Sequence, residues 1–275
     1  MRDGETSPSM SLFTRQAPMI DPIRLEIEGH LAIITLARPE KLNALDEAMI
    51  AGLAAAADAV DANVTVRAAI LTGEGKGFCA GGDIAAWGRL SPLEMGQHWV
   101  RNGHRVFDRL ARLRVPLVAA LNGHTLGGGL ELAATADIRI AEEQAKFGLP
   151  ETGIGMVPGW SGTQRLVTRF GAAAIRRLAL TGEIVTAERA LQLGLVDEIA
   201  PRGEGLSQAR ALCEKIAARG PVATIVAKQM INAAEGEDAA AAMEILAGSL
   251  VSYTADLKEG VASFVEKRPP VFKGF

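Results

Sequence analysis

Cysteine, tyrosine and histidine are scarce in this chain, with two, one and four residues among 275. Cys79 and Cys213 are too few for a disulfide framework, and such sparing use fits a reducing compartment. His98 and His104, on one expected helix, are six positions apart and off ligand spacing, so no metal site is supported. Long apolar runs are missing too. The longest stretch without Asp, Glu, Lys or Arg is Val115–Leu130, and it is interrupted by Pro116, Asn122, Gly123 and His124. A membrane span needs about 20 mostly apolar residues, so none is expected. Nor is there a run of five basic residues, and the net charge is −3, which weighs against a nucleic-acid partner. Met1–Ala17 is polar, carries both charge signs, and lacks the basic start and apolar core of a secretory signal. The expectation is a cytoplasmic protein with a flexible tail over 1–20.

What is present suffices for a sizeable core, at 48% hydrophobic and 22% charged residues. Ile23, Leu25 and Ile27 alternate with charged residues, Gly29-His30 marks a turn, and Leu31–Leu36 follows: a β-hairpin. Asp46–Asn63 has helical spacing, and Val66–Leu71 is a β-branched run ending at Thr72-Gly73. Ser91–Leu113 reads as a long helix with Ser91 as cap, Pro92 at the first position and Glu94 closing a capping box. Strands are expected at Pro116–Leu121 and Asp137–Ala141, with a helix through Leu130–Thr135 between them. Strands alternating with helices argue for an α/β fold with parallel pairing. From about Ser161 the segments read as helical, ending in one long stretch, Asp238–Lys267.

Three segments could carry chemistry. The first, Leu71–Ile84, ends a strand and then places five glycines within ten residues, at Gly73, Gly75, Gly77, Gly81 and Gly82. The spacing is neither a P-loop nor Gly-x-Gly-x-x-Gly, and an ordinary glycine-rich surface loop would have the same composition. In the second, Asn122–Ala133, Gly127, Gly128 and Gly129 open a helix and leave free N–H groups at its positive end. Such an end can hold a developing oxyanion. Glu131 stands in that first turn, where acidic residues are common for electrostatic reasons alone. The third, Phe147–Gly159, sets Glu151 in an otherwise apolar stretch rich in glycine and proline. A carboxylate in an apolar lining has a raised pKa suited to proton transfer, although a glutamate after a helix-starting proline is also ordinary. Spacing does not bring these segments together.

Taken in order, they resemble the crotonase superfamily of enoyl-CoA hydratases and isomerases. The likeness covers nearly all of Ile23–Phe275, including Gly159–Leu166, Ala187–Asp197 and the Lys267–Phe275 tail. The resemblance implies a crotonase-like spiral of ββα units over 21–200 and a helical C-terminal region over 201–275 used in trimerisation. Trimers of this kind commonly pair into hexamers. It also implies an acyl-CoA thioester substrate, with coenzyme A as part of the substrate and no separate cofactor. By position, the backbone N–H groups of Gly82 and Gly128 would form the oxyanion hole. Glu131 and Glu151 would be the catalytic pair, Glu131 chiefly activating water and Glu151 delivering a proton. Ala80, Gly81, Asp83 and Ile84 would run beside coenzyme A. Lys267 and Lys273 would reach its phosphates, and Phe272 its adenine from a neighbouring subunit; plain surface charge also accounts for the lysines. The chain departs from the family pattern at Trp160, where many hydratases carry a small residue. It departs again at Trp87, near a position where members often carry a Lys-Glu pair; both tryptophans are acyl-pocket candidates.

The resemblance favours reversible hydration of a 2-enoyl-CoA. The alternative in the same pocket is an isomerase that moves the double bond through Glu151 alone, a role that leaves Glu131 unemployed. A thioester hydrolase or a hydratase coupled to carbon–carbon cleavage would call for further polar groups in the acyl pocket. A binding-only role, including RNA binding, fits poorly with the retained glutamates and the negative charge.

Overall fold

The alternation at Ile23, Leu25 and Ile27 becomes strand β1 (Ile23–Glu28), paired antiparallel through the turn at Gly29-His30 with β2 (Leu31–Leu36). The computed structural model describes residues 22–275, and the tail expected over 1–20 lies outside the described residues. Downstream the chain repeats one route. A strand enters a large sheet, as β3 (Ala68–Gly73), β5 (Leu117–Leu121) and β7 (Ile138–Glu142) do in turn. A three-residue strand in a second sheet follows each, as β4 (Gly77–Cys79), β6 (His124–Leu126) and β8 (Lys146–Gly148). A helical segment then returns the chain. Adding β9 (Ile184–Thr186) and β10 (Glu198–Ala200) completes sheets ordered β1-β2-β3-β5-β7-β10 and β4-β6-β8-β9. Apart from β1–β2 and β8–β9, neighbouring strands are parallel. This is the expected α/β spiral of ββα units.

Period-two alternation puts successive strand residues on opposite faces of the large sheet. Ile34, Leu36 and Leu71 join Met49, Leu53, Phe107 and Phe147 in the main core. Leu31, Ile33, Ile70, Val118 and Ile140 face the other way, onto Ala209 and Cys213. Those two belong to the helix Gly205–Ala217, so the first helix beyond residue 200 covers the sheet. The long helix starts as expected: Ser91 Oγ accepts the Glu94 N–H at 3.3 Å, and Glu94 Oε2 accepts the Ser91 N–H at 2.8 Å. It continues through a wide turn at Met95–Val100 into Arg101–Ala111.

Two expectations are corrected. The stretch Asp238–Lys267 is two helices, Ala239–Ser252 and Ala255–Glu266, because Thr254 caps a new start by accepting the Leu257 N–H. The region beyond Ser161 also holds β9 and β10, too short to register as periodic patterns. The last two helices contribute a single buried residue, Ser263, and leave Met243, Leu250, Phe264 and Val265 exposed, as is Tyr253 in the link between them. Among the described residues, no helix is long and apolar enough to cross a membrane.

Candidate active site

The segment after β4 runs beside Leu45, whose N–H donates to the Gly81 carbonyl and whose own carbonyl accepts the Asp83 N–H, both at 2.7 Å. That pattern skips residue 82 and leaves the Gly82 N–H without a backbone acceptor. Next to it, Gly127 turns at φ +54 and opens the helix Gly128–Ala133. The Gly128 N–H belongs to the first turn, where helix geometry supplies no partner, and no other acceptor among the described residues meets it. The two loops touch: a Cβ on Gly128 would lie 3.5 Å from the Gly82 nitrogen, and one on Gly81 would lie 3.3 Å from the Gly128 nitrogen. Gly81 also sits at φ +100, which only glycine adopts readily. Two free amide donors thus converge on one wall of a cavity of about 210 Å³.

Both glutamates line that cavity, together with Ala80, Ile84, Trp87, Trp99, Gly127 and Trp160. Glu131, only 3% exposed, accepts the Trp160 N–H on Oε1 at 2.8 Å. Burial pushes its pKa up to about 8; the Trp160 amide opposes the rise and the neighbouring Glu151 charge adds to it. Glu151 stands on the short turn Pro150–Ile154, and among the described residues no other residue hydrogen-bonds its oxygens. Burial raises its pKa as well. Two carboxylates that both favour the protonated form, facing two amides that lack acceptors, can exchange protons with a polarised carbonyl compound.

The turn that presents the Trp160 amide is held from behind. Ser161 is in the left-handed region at φ +70, and its hydroxyl lies 3.0 Å from His104 Nδ1 and 3.2 Å from Asp108 Oδ1. Arg165 ties Asp108 at 2.7 Å to Glu237 at 2.5 Å. His104 therefore braces this turn, a role its sequence position did not disclose. Cys79 and Cys213 are buried thiols pushed up to about 12 by that burial, far from a nucleophilic thiolate at neutral pH.

Of the residues singled out in the sequence, the cavity takes in Ala80, Gly81, Gly82, Ile84, Trp87, Gly128, Glu131, Glu151 and Trp160. Asp83 is beside it, capping Ile84–Trp87 and paired with Arg38 at 2.8 Å. Lys267, Phe272 and Lys273 do not line this cavity. Phe272 lies against its own chain near Gly260, and the Lys273 N–H donates to Asp256 at 2.6 Å. Sequence reasoning missed Trp99 and Val100, which reach the cavity from a helix face; Met156 and Val157 reach it from the Phe147–Gly159 segment, where they had no assigned role. Among the described residues, no cluster of His, Cys, Asp and Glu could hold a metal ion.

The two-sheet spiral is the crotonase fold. Residues 26–274 match the sequence model of the enoyl-CoA hydratase/isomerase family, and the chain belongs to that family of enzymes. It is 38% identical over 252 residues to a short-chain-enoyl-CoA hydratase of Clostridium acetobutylicum, covering 90% of this chain and 96% of the relative. It is 37% identical over 263 residues to an (E)-benzylidenesuccinyl-CoA hydratase of Thauera aromatica, covering 92% and 99%. Among solved structures, the enoyl-CoA hydratase of Mycobacterium tuberculosis H37Rv superposes with a TM-score of 0.72 at 39% identity, covering 92% of this chain and 99% of that one.

Proposed function

We propose that this enzyme adds water reversibly across the α,β double bond of a 2-enoyl-CoA thioester. The observation that carries the proposal is the pairing of Glu131 and Glu151, both with raised proton affinity, across from the Gly82 and Gly128 N–H groups, which no acceptor among the described residues meets. The thioester oxygen accepts both N–H groups. As electrons move toward it, Cα gains enolate character and Cβ becomes open to attack. Ionised Glu131 takes a proton from a water molecule, whose oxygen bonds to Cβ. Protonated Glu151 gives its proton to Cα. The pair holds one proton before and after, which suits two neighbouring carboxylates that resist double ionisation. The Trp160 N–H favours ionisation at Glu131, whereas burial, opposed only by a smaller contact from its own backbone N–H, favours the neutral form of Glu151. Hence the division of labour.

Coenzyme A enters as part of the substrate, and no separate cofactor takes part in this scheme. Its pantetheine runs along Ala80–Ile84, with Asp83 fixing that loop through Arg38. Lys267, Phe272 and Lys273 stay with their own C-terminal helix, and they serve the phosphates and adenine of a neighbouring copy. The exposed apolar side chains of Ala239–Ser252 and Ala255–Glu266 support assembly into a homotrimer, or a hexamer of paired trimers.

Turnover of crotonyl-CoA in heavy-oxygen water tests the reaction. Hydration gives a 3-hydroxyacyl thioester with one solvent oxygen at Cβ. Conversion of a 3-enoyl-CoA to a 2-enoyl-CoA with no oxygen taken up would assign the isomerase reaction instead.

A further inference from the structure

The depth of the cavity can be read from exposure. Ile154 and Val157 are 57% and 63% exposed and form the mouth, whereas Trp99 and Trp160 are 7% and 3% exposed and form the floor. With Trp87, all three tryptophans of the chain close this one cavity. The Trp160 indole is fixed there. Its Nε1–H donates to the Trp99 carbonyl at 3.2 Å, and its ring tilts 48° against Trp99 at 4.9 Å. Its far side meets the edge of Phe107, with ring centroids 5.4 Å apart. Position 103 is a glycine, and a Cβ there would overlap the indole. No rotation of the ring is open without moving the helix Arg101–Ala111.

The ring also lies close to the chemistry. A Cβ on Gly128 would be 3.0 Å from Trp160 Cε3 and Cζ3, so the indole is one van der Waals layer from the proposed oxyanion hole. On the other side, a Cβ on Gly82 would be 3.2 Å from both Trp87 Nε1 and Trp99 Cζ2. A cavity of about 210 Å³ is smaller than the roughly 300–1,000 Å³ typical of sites for drug-sized ligands. The three tryptophans bound its inner end, so the room for an acyl chain beyond the reacting atoms is set by their rings.

We propose that Trp160 is the gauge of this site, restricting the enzyme to enoyl thioesters with a short acyl chain. A long chain, or a ring at Cβ, needs the volume the indole fills. The inference rests on the hydratase reading for its substrate class, but the shape argument stands apart from the reaction. The Trp160 N–H that holds Glu131 is a backbone group, so truncating the side chain leaves that bond in place.

The test compares kcat/KM for crotonyl-, octenoyl- and cinnamoyl-CoA in the wild type, Trp160→Ala and Trp160→Phe. The affinities of butyryl- and octanoyl-CoA, which cannot react, are measured alongside. One methylene in a tight apolar pocket discriminates by about 10–200-fold. The wild type should therefore prefer crotonyl- to octenoyl-CoA by at least about 10-fold, and Trp160→Ala should reduce that preference at least about 10-fold. If Trp160→Ala does not fold, Trp160→Phe, which keeps a ring against Phe107, should move the ratio the same way by a few-fold. An unchanged ratio in the variants, or equal use of all three substrates by the wild type, overturns the gauge. If no substrate is hydrated yet butyryl-CoA binds more tightly than octanoyl-CoA and Trp160→Ala erases the difference, the reaction is wrong and the gauge stands.

Discussion

Glu131 Oε1 occupies the space that a side chain at Gly162 would need, so a Cβ built at position 162 would overlap that oxygen. The glycine and the carboxylate are a matched pair: one residue gives up its side chain so that the other can reach the Trp160 N–H at 2.8 Å. Gly162→Ala should displace Glu131 and lower kcat by about 100-fold, since misplacing a reacting group by about 1 Å can cost that much. Gly96→Ala, where a Cβ meets nothing within 4 Å, should leave turnover unchanged. Steady-state kinetics on both variants checks this.

Glu131 also makes stability depend on pH. Its pKa is raised by burial to about 8, above the usual carboxylate range of the unfolded chain. The fold accommodates neutral Glu131 at no cost, whereas ionising it costs stability that the Trp160 N–H offsets only in part. This contribution is fully present at acid pH and is lost as pH rises through about 8. Glu131→Gln should therefore raise the melting temperature at pH 8.5 and change it little at pH 4. Equal shifts at the two pH values would contradict the buried-acid description.

The charge of Glu151 is one cause of that raised pKa. Removing it should let Glu131 ionise at lower pH. In Glu151→Gln the Glu131 carboxyl, followed by carbon NMR on labelled protein, should titrate below its wild-type midpoint. Turnover should drop by about 100- to 10,000-fold as the proton donor is lost.

Substitution in the proposed oxyanion hole should spare the fold and harm the reaction. Gly128 is not in the left-handed region, and an added Cβ would sit 3.0 Å from the Trp160 ring, which must give by a few tenths of an ångström to admit it. It would also crowd the space in front of the Gly82 nitrogen, at 3.5 Å. Losing the use of one such donor costs about 2.7–4 kcal/mol in the transition state. Gly128→Ala should thus lower kcat by about 100- to 1,000-fold with an unchanged circular dichroism spectrum.

The proposed assembly through the C-terminal helices can be tested separately. Phe264 is 86% exposed in the single chain and lies on the same helix as Val265, with exposed Tyr253 in the link just before it. Phe264→Asp places a charge on that apolar face. Light scattering should find the wild type as a trimer or hexamer and this variant shifted toward monomer.

Much of the fold was legible because strong local signals wrote it. The hairpin at Gly29-His30, the capping box of Ser91 and Glu94, and the glycine-led helix carrying Glu131 all depend on neighbours within a few residues. The small sheet was not legible: β4, β6 and β8 have three residues each, too few to show a period, and they exist because partner strands lie beside them. The glutamates and glycines of the site could be picked out by type and order. Trp99 could not, because a tryptophan on a helix looks like any core residue until the fold turns it toward Gly82. Ser161 was hidden for a similar reason, since its left-handed backbone and its bonds to His104 and Asp108 join positions more than fifty residues apart.

The most direct test of the central claim follows the loss of enoyl-thioester absorbance when the purified protein meets crotonyl-CoA, beside Glu131→Gln and Glu151→Gln. Hydration through the carboxylate pair predicts rapid loss with the wild type and a fall of at least about 100-fold in each variant. Wild-type rates retained in either variant would show that the pair does not carry the reaction. No loss with the wild type while a 3-enoyl-CoA is converted would contradict hydration itself.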